Sequence, residues 1–297
     1  MIRLCPAKVN LALSVGSPDQ RGLHPIASWM VVVDFGDDLM LDPASSGSGG
    51  FRIDLAQDAP AAFAVDWPVE QDLAARAHRV LEQHIGRPLP VRIALRKRIP
   101  PGAGLGGGSS DAASTLLGLR DLFDLDTDDG ELQQLAMTLG SDVGFLVRAA
   151  LGETSCLVSG LGERVEPLPQ ASALHLVLIF PGFGCPTRLV YDAFDRSRPC
   201  APERRPDFER VRNLATRTPL AVDGPFNDLW GAARDVQPGL ATIHSDLERH
   251  LQCAVHLSGS GSTLFALGRD GDHAAALARK VNARCHLPAV SVRTLTS

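Results

Sequence analysis

Apolar residues alternate most cleanly over residues 91–97, VRIALRK, where Val91, Ile93 and Leu95 share one face. That spacing predicts a half-buried strand. Runs of branched apolar residues at 4–16 and 26–42 predict two longer strands. A helical period replaces the alternation at 70–85, where Leu73, Ala77, Val80, Leu81 and His84 form one stripe and Gly86 then Pro88 stop it. Further helices are expected at 111–123 and at 131–139, the latter ended by Gly140. In the second half a buried strand is expected at 174–180. Helices follow near 187–196, 207–217, 227–234 and 238–250, then strands at 253–259 and 263–268, a helix at 272–285 and a strand at 289–295. The serine–glycine run at 45–50 reads as a turn, and 150–174 is turn-rich. Strands and helices mix without regular βαβ alternation, so the expected class is α+β with two domains, 1–160 and 161–297.

Composition narrows the partners. The chain has 297 residues, 44% hydrophobic and 21% charged, enough to bury a sizeable core. Its net charge of −5 provides no basic field for a nucleic-acid backbone or an acidic membrane. The apolar run at 176–180 is far shorter than the ~20 residues of a membrane span. The N-terminus lacks the organisation of a signal peptide. The six cysteines, at 5, 156, 185, 200, 253 and 285, include no CxxC pair and no metal-ligand spacing, and read as free thiols in a reducing compartment. A cytoplasmic protein acting on a small molecule is expected, with a homodimer left open.

The chemistry concentrates at residues 98–115, RIPPGAGLGGGSSDAAST. Five of the seven residues 102–108 are glycine. Without Cβ atoms, successive residues can turn their N–H groups into one concavity. A helix starting near Ser110 aims its unpaired N–H groups and positive dipole end at the same place, which makes a phosphate site. The other reading is a glycine-rich connector whose Ser109 or Asp111 merely caps the helix. A nucleoside-triphosphate P-loop requires Gly-Lys-Ser/Thr at its end, and here Gly-Ser-Ser-Asp stands instead. A dinucleotide fingerprint can be laid on Gly102, Gly104 and Gly107, but no acidic residue ends a second strand ~20 positions on.

Two other positions are chemically odd. Lys8 is a cation in the apolar stretch CPAKVNLAL and must find an anion or leave the core. Asp142 opens GSDVGFL, which looks like a helix start and suits an N-cap.

The loop, as Pro-x-Gly-x-Gly-Leu-Gly-Gly-Gly-Ser-Ser-Asp-Ala-Ala, resembles the central motif of the GHMP kinases, which phosphorylate small metabolites with ATP. PAKVNLAL (6–13) looks like that superfamily's N-terminal motif, and LSGSGSTLFAL (257–267) like its C-terminal glycine motif. Within the superfamily, GLH (22–24) and TLGSDVGF (138–145) resemble the branch that phosphorylates a cytidine-diphospho sugar alcohol in non-mevalonate isoprenoid biosynthesis. The resemblance implies a two-domain GHMP-kinase-like fold and ATP with Mg²⁺ as cofactors. It implies that Pro100, Pro101, Gly102, Ala103, Gly104, Leu105, Gly106, Gly107, Gly108, Ser109 and Ser110 cradle the nucleotide, with a serine hydroxyl, Ser109 or Ser110, offered to the metal. It implies Asp142 as general base, or as holder of the hydroxyl, with Lys8 beside it. Asn10, His24, Thr187 and Tyr191 would bind the acceptor.

Two positions depart from the branch. Leu23 stands where a second aromatic ring would cover the cytosine, and Gly144 where proline is usual, which is expected to loosen the turn behind Asp142. Leu23 can still cover a base face by dispersion contact at some loss, and Trp29 and Phe183 are the candidates for a substitute ring. A kinase acting on another small alcohol, with no cytosine, is the alternative.

Overall fold

The computed structural model describes all residues except 170–171, 198–202, 218–219, 222–223 and 297. In chain order the elements are β1 (Ile2–Val15), β2 (Ile26–Pro43), β3 (Gly50–Leu55), α1 (Leu73–Ile85), β4 (Val91–Lys97), α2 (Gly107–Leu122), α3 (Asp129–Leu139) and α4 (Ser141–Ala150). Then come β5 (Ser155–Gly160), β6 (Arg164–Pro167), β7 (His175–Ile179), α5 (Thr187–Arg196), α6 (Phe208–Ala215), β8 (Phe226–Asn227) and α7 (Trp230–Val236). The chain finishes with α8 (Gly239–Leu251), β9 (His256–Leu257), β10 (Leu264–Gly268), α9 (Gly271–Arg284) and β11 (Ala289–Arg293).

The chain forms two compact units that cut it differently from 1–160 and 161–297. One holds Met1–Ala7, Phe35–Pro101 and Gly106–Glu153; the other holds Lys8–Asp34, Gly102–Leu105 and Thr154–Ser297. Long-range strand pairing, invisible to composition, draws residues 8–34 into the unit of the C-terminal half.

In the first unit β3 runs parallel to β4 and β4 antiparallel to the end of β2, from Asp38 opposite Arg96 to Pro43 opposite Val91. The alternation of β4 is real: Val91, Ile93 and Leu95 are buried and Arg92 and Arg96 exposed. Helix α1 packs on α2, and α2 on α4. Asp72 caps α1, accepting from the Ala74 amide at 2.8 Å, and Gly86 ends it at φ 71°. Helix α2 is buried from Ser110 to Leu119 on every side, which explains its run of Ala, Ser, Thr and Leu.

In the second unit the sheet order is β11-β7-β10-β9, with α9 against β7 and β11. Its core joins Val177, Ile179, Phe194, Leu247, Leu264 and Val281. The start of β2 pairs with β5, and β8 runs parallel to β1 at Ala12 and Leu13.

Several sequence expectations need correction. Residues 155–167 form the β5–β6 hairpin rather than a turn-rich connector, and β3 follows directly on the expected turn at 45–50. Residues 226–227 are strand, so the helix expected at 227–234 starts at Trp230. Helix α2 begins at Gly107, four residues before 111, and takes two glycines into its first turn. Of the six cysteines, Cys200 lies outside the described residues; the other five are free thiols. No helix among the described residues is long and apolar enough to cross a membrane.

Candidate functional site

In the second unit, three sequence motifs from the two ends and the middle of the chain meet. The Lys8 amide donates to Leu105 O at 2.9 Å, so β1 lies against the first half of the glycine loop. Segment 258–263 is sewn to the same half: Thr263 N donates to Ala103 O at 3.0 Å, Ser262 N to Gly102 O at 3.2 Å, and Ser258 Oγ to Gly104 O at 3.0 Å. On the other side Cys185 N donates to Gly102 O at 3.0 Å. Gly104 has φ 75°, and a Cβ there would stand 2.2 Å from Ser258 O. No L side chain fits in that space or that backbone conformation. Asn227 Nδ2 holds the turn by donating to Leu257 O and Gly259 O at 2.9 and 2.8 Å.

Lys8 and Asn10, two residues apart on β1, present side chains to one another: Lys8 Nζ donates to Asn10 Oδ1 at 2.6 Å. Both are buried, at 5% and 2% exposure. Asn10 Nδ2 donates to Ser28 Oγ, which donates to Ala12 O. The amide is thereby held oxygen-first toward the ammonium. Lys8 thus stays in the core in an oriented polar cluster. A Cβ on Gly259 would lie 3.2 Å from Lys8 Nζ, so glycine there leaves the ammonium room.

The acceptor candidates form a second cluster in this unit. His24 has only 5% of its side chain exposed and its Nε2 lies 2.8 Å from Asp195 Oδ1. Its ring sits 4.9 Å from Tyr191, tilted 45°, and edge-on to Phe194 at 6.2 Å. Thr187 Oγ1 is 3.0 Å from Ser260 Oγ, at the tip of the glycine turn. Leu23 is 46% exposed. Trp29 cannot replace the absent ring, because it is buried with its Nε1–H donated to Ser155 Oγ. Phe183 is partly buried against the core of this unit.

In the first unit, the second half of the loop enters α2. The helix is preceded by Gly106 at φ 68° and carries no side-chain cap. Neither Ser109 nor Asp111 caps it, so its first amides are left for a ligand. Ser110 Oγ is sealed from solvent without a hydrogen-bond partner, while Ser109 is half-buried. Pro100 is half-buried and Pro101 exposed.

Behind this helix start lies a buried ion cluster that the sequence reading missed. Lys97 Nζ donates to Asp37 Oδ2 at 2.5 Å and to Asp111 Oδ2. Their side chains are 4%, 0% and 2% exposed. Asp37 Oδ1 also accepts from the amides of Arg98 and Ile99, at 2.5 and 2.9 Å, where the chain turns toward the glycine loop. Burial pushes the Asp111 carboxyl up, to about 7, with Lys97 opposing and the Asp37 carboxylate adding to it. Burial alone would lower Lys97, but Asp111 and Asp37 outweigh it and hold the ammonium above its ordinary range. The one available signal was Lys97 itself, an inward position on β4 by its alternation with Val91, Ile93 and Leu95.

Asp142, in the same unit, is half-buried in the first turn of α4. It is not the N-cap, which is Gly140, but the helix dipole still favours an anion there. Gly144 does not loosen a turn: it lies inside α4, where a Cβ would meet Met137 Sδ at 2.6 Å and Gln133 Nε2 at 2.9 Å. Glycine lets α4 approach α3. Lys8 and Asp142 belong to different units. Among the described residues no group of three or more His, Cys, Asp or Glu could hold a metal ion.

The family model of the GHMP kinases N terminal domain matches residues 72–152, and that of the GHMP kinases C terminal domain matches 204–287. A 4-diphosphocytidyl-2-C-methyl-D-erythritol kinase of Caulobacter vibrioides is 35% identical over 285 residues, covering 93% of this chain and 92% of the relative. The chain belongs to the GHMP kinase family. As a GHMP kinase it is a two-domain α+β small-molecule kinase that uses ATP. A relative of the same name from Thermus thermophilus is 37% identical, over 95% of this chain and 93% of its own. A crystal structure of a 4-(cytidine 5'-diphospho)-2C-methyl-D-erythritol kinase superposes with a TM-score of 0.78 at 34% identity, covering all of both chains.

Proposed function

We propose that this GHMP kinase transfers the γ-phosphoryl group of ATP to a hydroxyl of 4-diphosphocytidyl-2-C-methyl-D-erythritol, in non-mevalonate isoprenoid precursor biosynthesis. The observation that carries this reading is similarity to kinases so named across more than nine-tenths of both chains. The loop amides of residues 102–108 and the uncapped start of α2 cradle the phosphates, and positioning with charge stabilisation supplies most of the catalysis. Asp142 takes the acceptor's proton as the new bond forms. Lys8, oriented by Asn10, stabilises charge developing on the acceptor oxygen. His24, Thr187 and Tyr191 hold the acceptor.

The residues fit Mg²⁺ carried in on the nucleotide, which needs only one or two protein oxygens. Ser110 Oγ is sealed off, which leaves Ser109 as the hydroxyl for the metal. When bound, the ion neutralises charge on the phosphate oxygens.

ATP turnover against a panel of acceptor alcohols tests the reading. The cytidine-bearing acceptor is expected to give the highest kcat/KM; activity only with simple polyols would reject it. Asp142→Asn is expected to lower kcat by ~10²-fold or more with KM for ATP nearly unchanged. Near-normal turnover in that variant would reject the base. A second reading, an acceptor lacking cytosine, is favoured by Leu23, since an aliphatic side chain stands where a base would stack. Leu23→Tyr is expected to tighten binding of the cytidine-bearing acceptor by ~1–3 kcal/mol. Weaker binding of that acceptor to the variant would favour the second reading.

A further inference from the structure

The glycine loop departs from the end of β4 and returns as α2, and both of its stems lie in the first unit. One ammonium joins them. Lys97, the last residue of β4, donates from Nζ to Asp37 Oδ2 at 2.5 Å and to Asp111 Oδ2. Asp37, on β2, grips the outgoing stem, because its Oδ1 accepts from the Arg98 and Ile99 amides. Asp111 stands on the returning stem, one residue beyond the first helical bond, from Ser110 N to Gly106 O at 2.9 Å. The two sides are held unequally. Asp37 uses both oxygens, whereas Asp111 Oδ1 is sealed from solvent with no hydrogen-bond partner. The carboxyl of the returning stem is therefore tied by the bond from Lys97. Lys97 is itself only 3% exposed, so it acts through the stems and not on a ligand.

We infer that Lys97 is a positioning residue that clasps the two stems of the glycine loop, so that the amides at the start of α2 are set for phosphate before ATP arrives. This rests on the proposed function, in which those amides cradle the nucleotide. Without the ammonium, two buried carboxylates face one another, and their repulsion drives the stems apart. Part of the ATP binding energy must then go into drawing the stems together, which weakens binding. Once the phosphates are seated the spacing is restored, and the chemical step proceeds at its usual rate. The loss therefore falls on KM for ATP and spares kcat.

The test uses the full chain and begins on the wild type, with amide hydrogen exchange measured with and without a non-hydrolysable ATP analogue. The Arg98, Ile99 and Ser110 amides are expected to exchange slowly in the free protein and to change by less than about threefold at saturation, while the amides of 107–109 gain protection. Stem amides that exchange freely until the analogue binds overturn the inference. An analogue that protects none of 107–109 removes the cradle reading and the inference together. Steady-state kinetics follow. Asp111→Leu removes the acceptor and leaves Lys97 paired with Asp37; it is expected to raise KM for ATP by ~10-fold or more, with kcat within ~3-fold and KM for the acceptor unchanged. Asp111→Asn, whose amide oxygen still accepts from Lys97, is expected to keep KM for ATP within ~3-fold of the wild type. Lys97→Met is expected to raise KM for ATP at least as far as Asp111→Leu. A merely structural role would lower the amount of active enzyme, and so the apparent kcat, with KM for ATP unmoved. That pattern in Asp111→Leu or Lys97→Met overturns the inference and leaves the cradle intact. Equal rises in Asp111→Asn and Asp111→Leu overturn it too, because the lost charge and not the lost bond would then be responsible. Where a variant does not fold, the wild-type exchange decides.

Discussion

The two halves of the glycine loop are held by opposite means. Residues 102–105 are sewn by main-chain hydrogen bonds to 258–263, Cys185 and Lys8, and the geometry at Gly104 excludes a side chain. Residues 106–111 lead into a helix whose rear is anchored by buried charges, with Lys97 between Asp37 and Asp111. The first half depends on shape and the second on charge balance. Main-chain hydrogen bonds survive most side-chain changes, but a Cβ at Gly104 has nowhere to go. A buried cluster tolerates shape changes far better than the loss of one member, which strands the other charges.

That contrast can be broken most forcefully at Lys97. Lys97→Met leaves Asp37 and Asp111 facing one another in the core. It is expected to cost about 3–5 kcal/mol in urea unfolding; a cost below about 1 kcal/mol would deny the cluster its anchoring role. Next in size, Gly104→Ala is expected to lower kcat/KM for ATP by at least about tenfold and stability by ~2 kcal/mol, through strain at φ 75° and collision with Ser258 O. Unaltered ATP kinetics would count against the shape argument. A smaller difference depends on pH. The folded state raises the Asp111 carboxyl above its ordinary range and so binds that proton more tightly than the unfolded chain. This contribution to stability is present at low pH and is lost as pH rises toward about 7. Asp111→Asn, which does not titrate, is therefore expected to gain stability relative to the wild type as pH rises, and parallel unfolding curves at every pH would refute the shift. Smallest of all is Gly108→Ala. Its nearest neighbour is Leu73 Cδ1 at an ordinary 3.6 Å, and alanine favours a helix over glycine by up to ~1 kcal/mol. Stability is expected to hold or rise slightly while KM for ATP increases. A drop in melting temperature comparable to that of Gly104→Ala would erase the contrast between the halves.

Much of this was legible in the chain. Alternation in β4, the stripe of α1 and its stop at Gly86 are local rules, and the structure follows them. The glycine run announced a backbone that only glycine permits, as Gly104 shows at φ 75° against Ser258 O. The start of α2 was misjudged because Gly107 and Gly108 read locally as loop. Glycine is needed at Gly107 within the helix because a Cβ there would stand 2.8 Å from Ile99 Cγ2, a contact that only packing creates. The β5–β6 hairpin was missed because its strands are short and rich in turn-forming residues, and their partner, the start of β2, lies far upstream in the chain.

The sequence by itself determined what local chemistry can decide: the elements with strong periodicity, the glycine loop among its three ordered motifs, and the odd cation at Lys8. Tertiary structure alone decided which distant groups share a proton or a charge, namely Asp37 with Lys97 and Asp111, Asp195 with His24, and Asn10 with Ser28. It also decided that residues 8–34 join the unit of the C-terminal half. Spacing along a strand or helix says which face a residue takes. It does not say what waits across from it, because that partner is brought there by folding over tens to hundreds of positions.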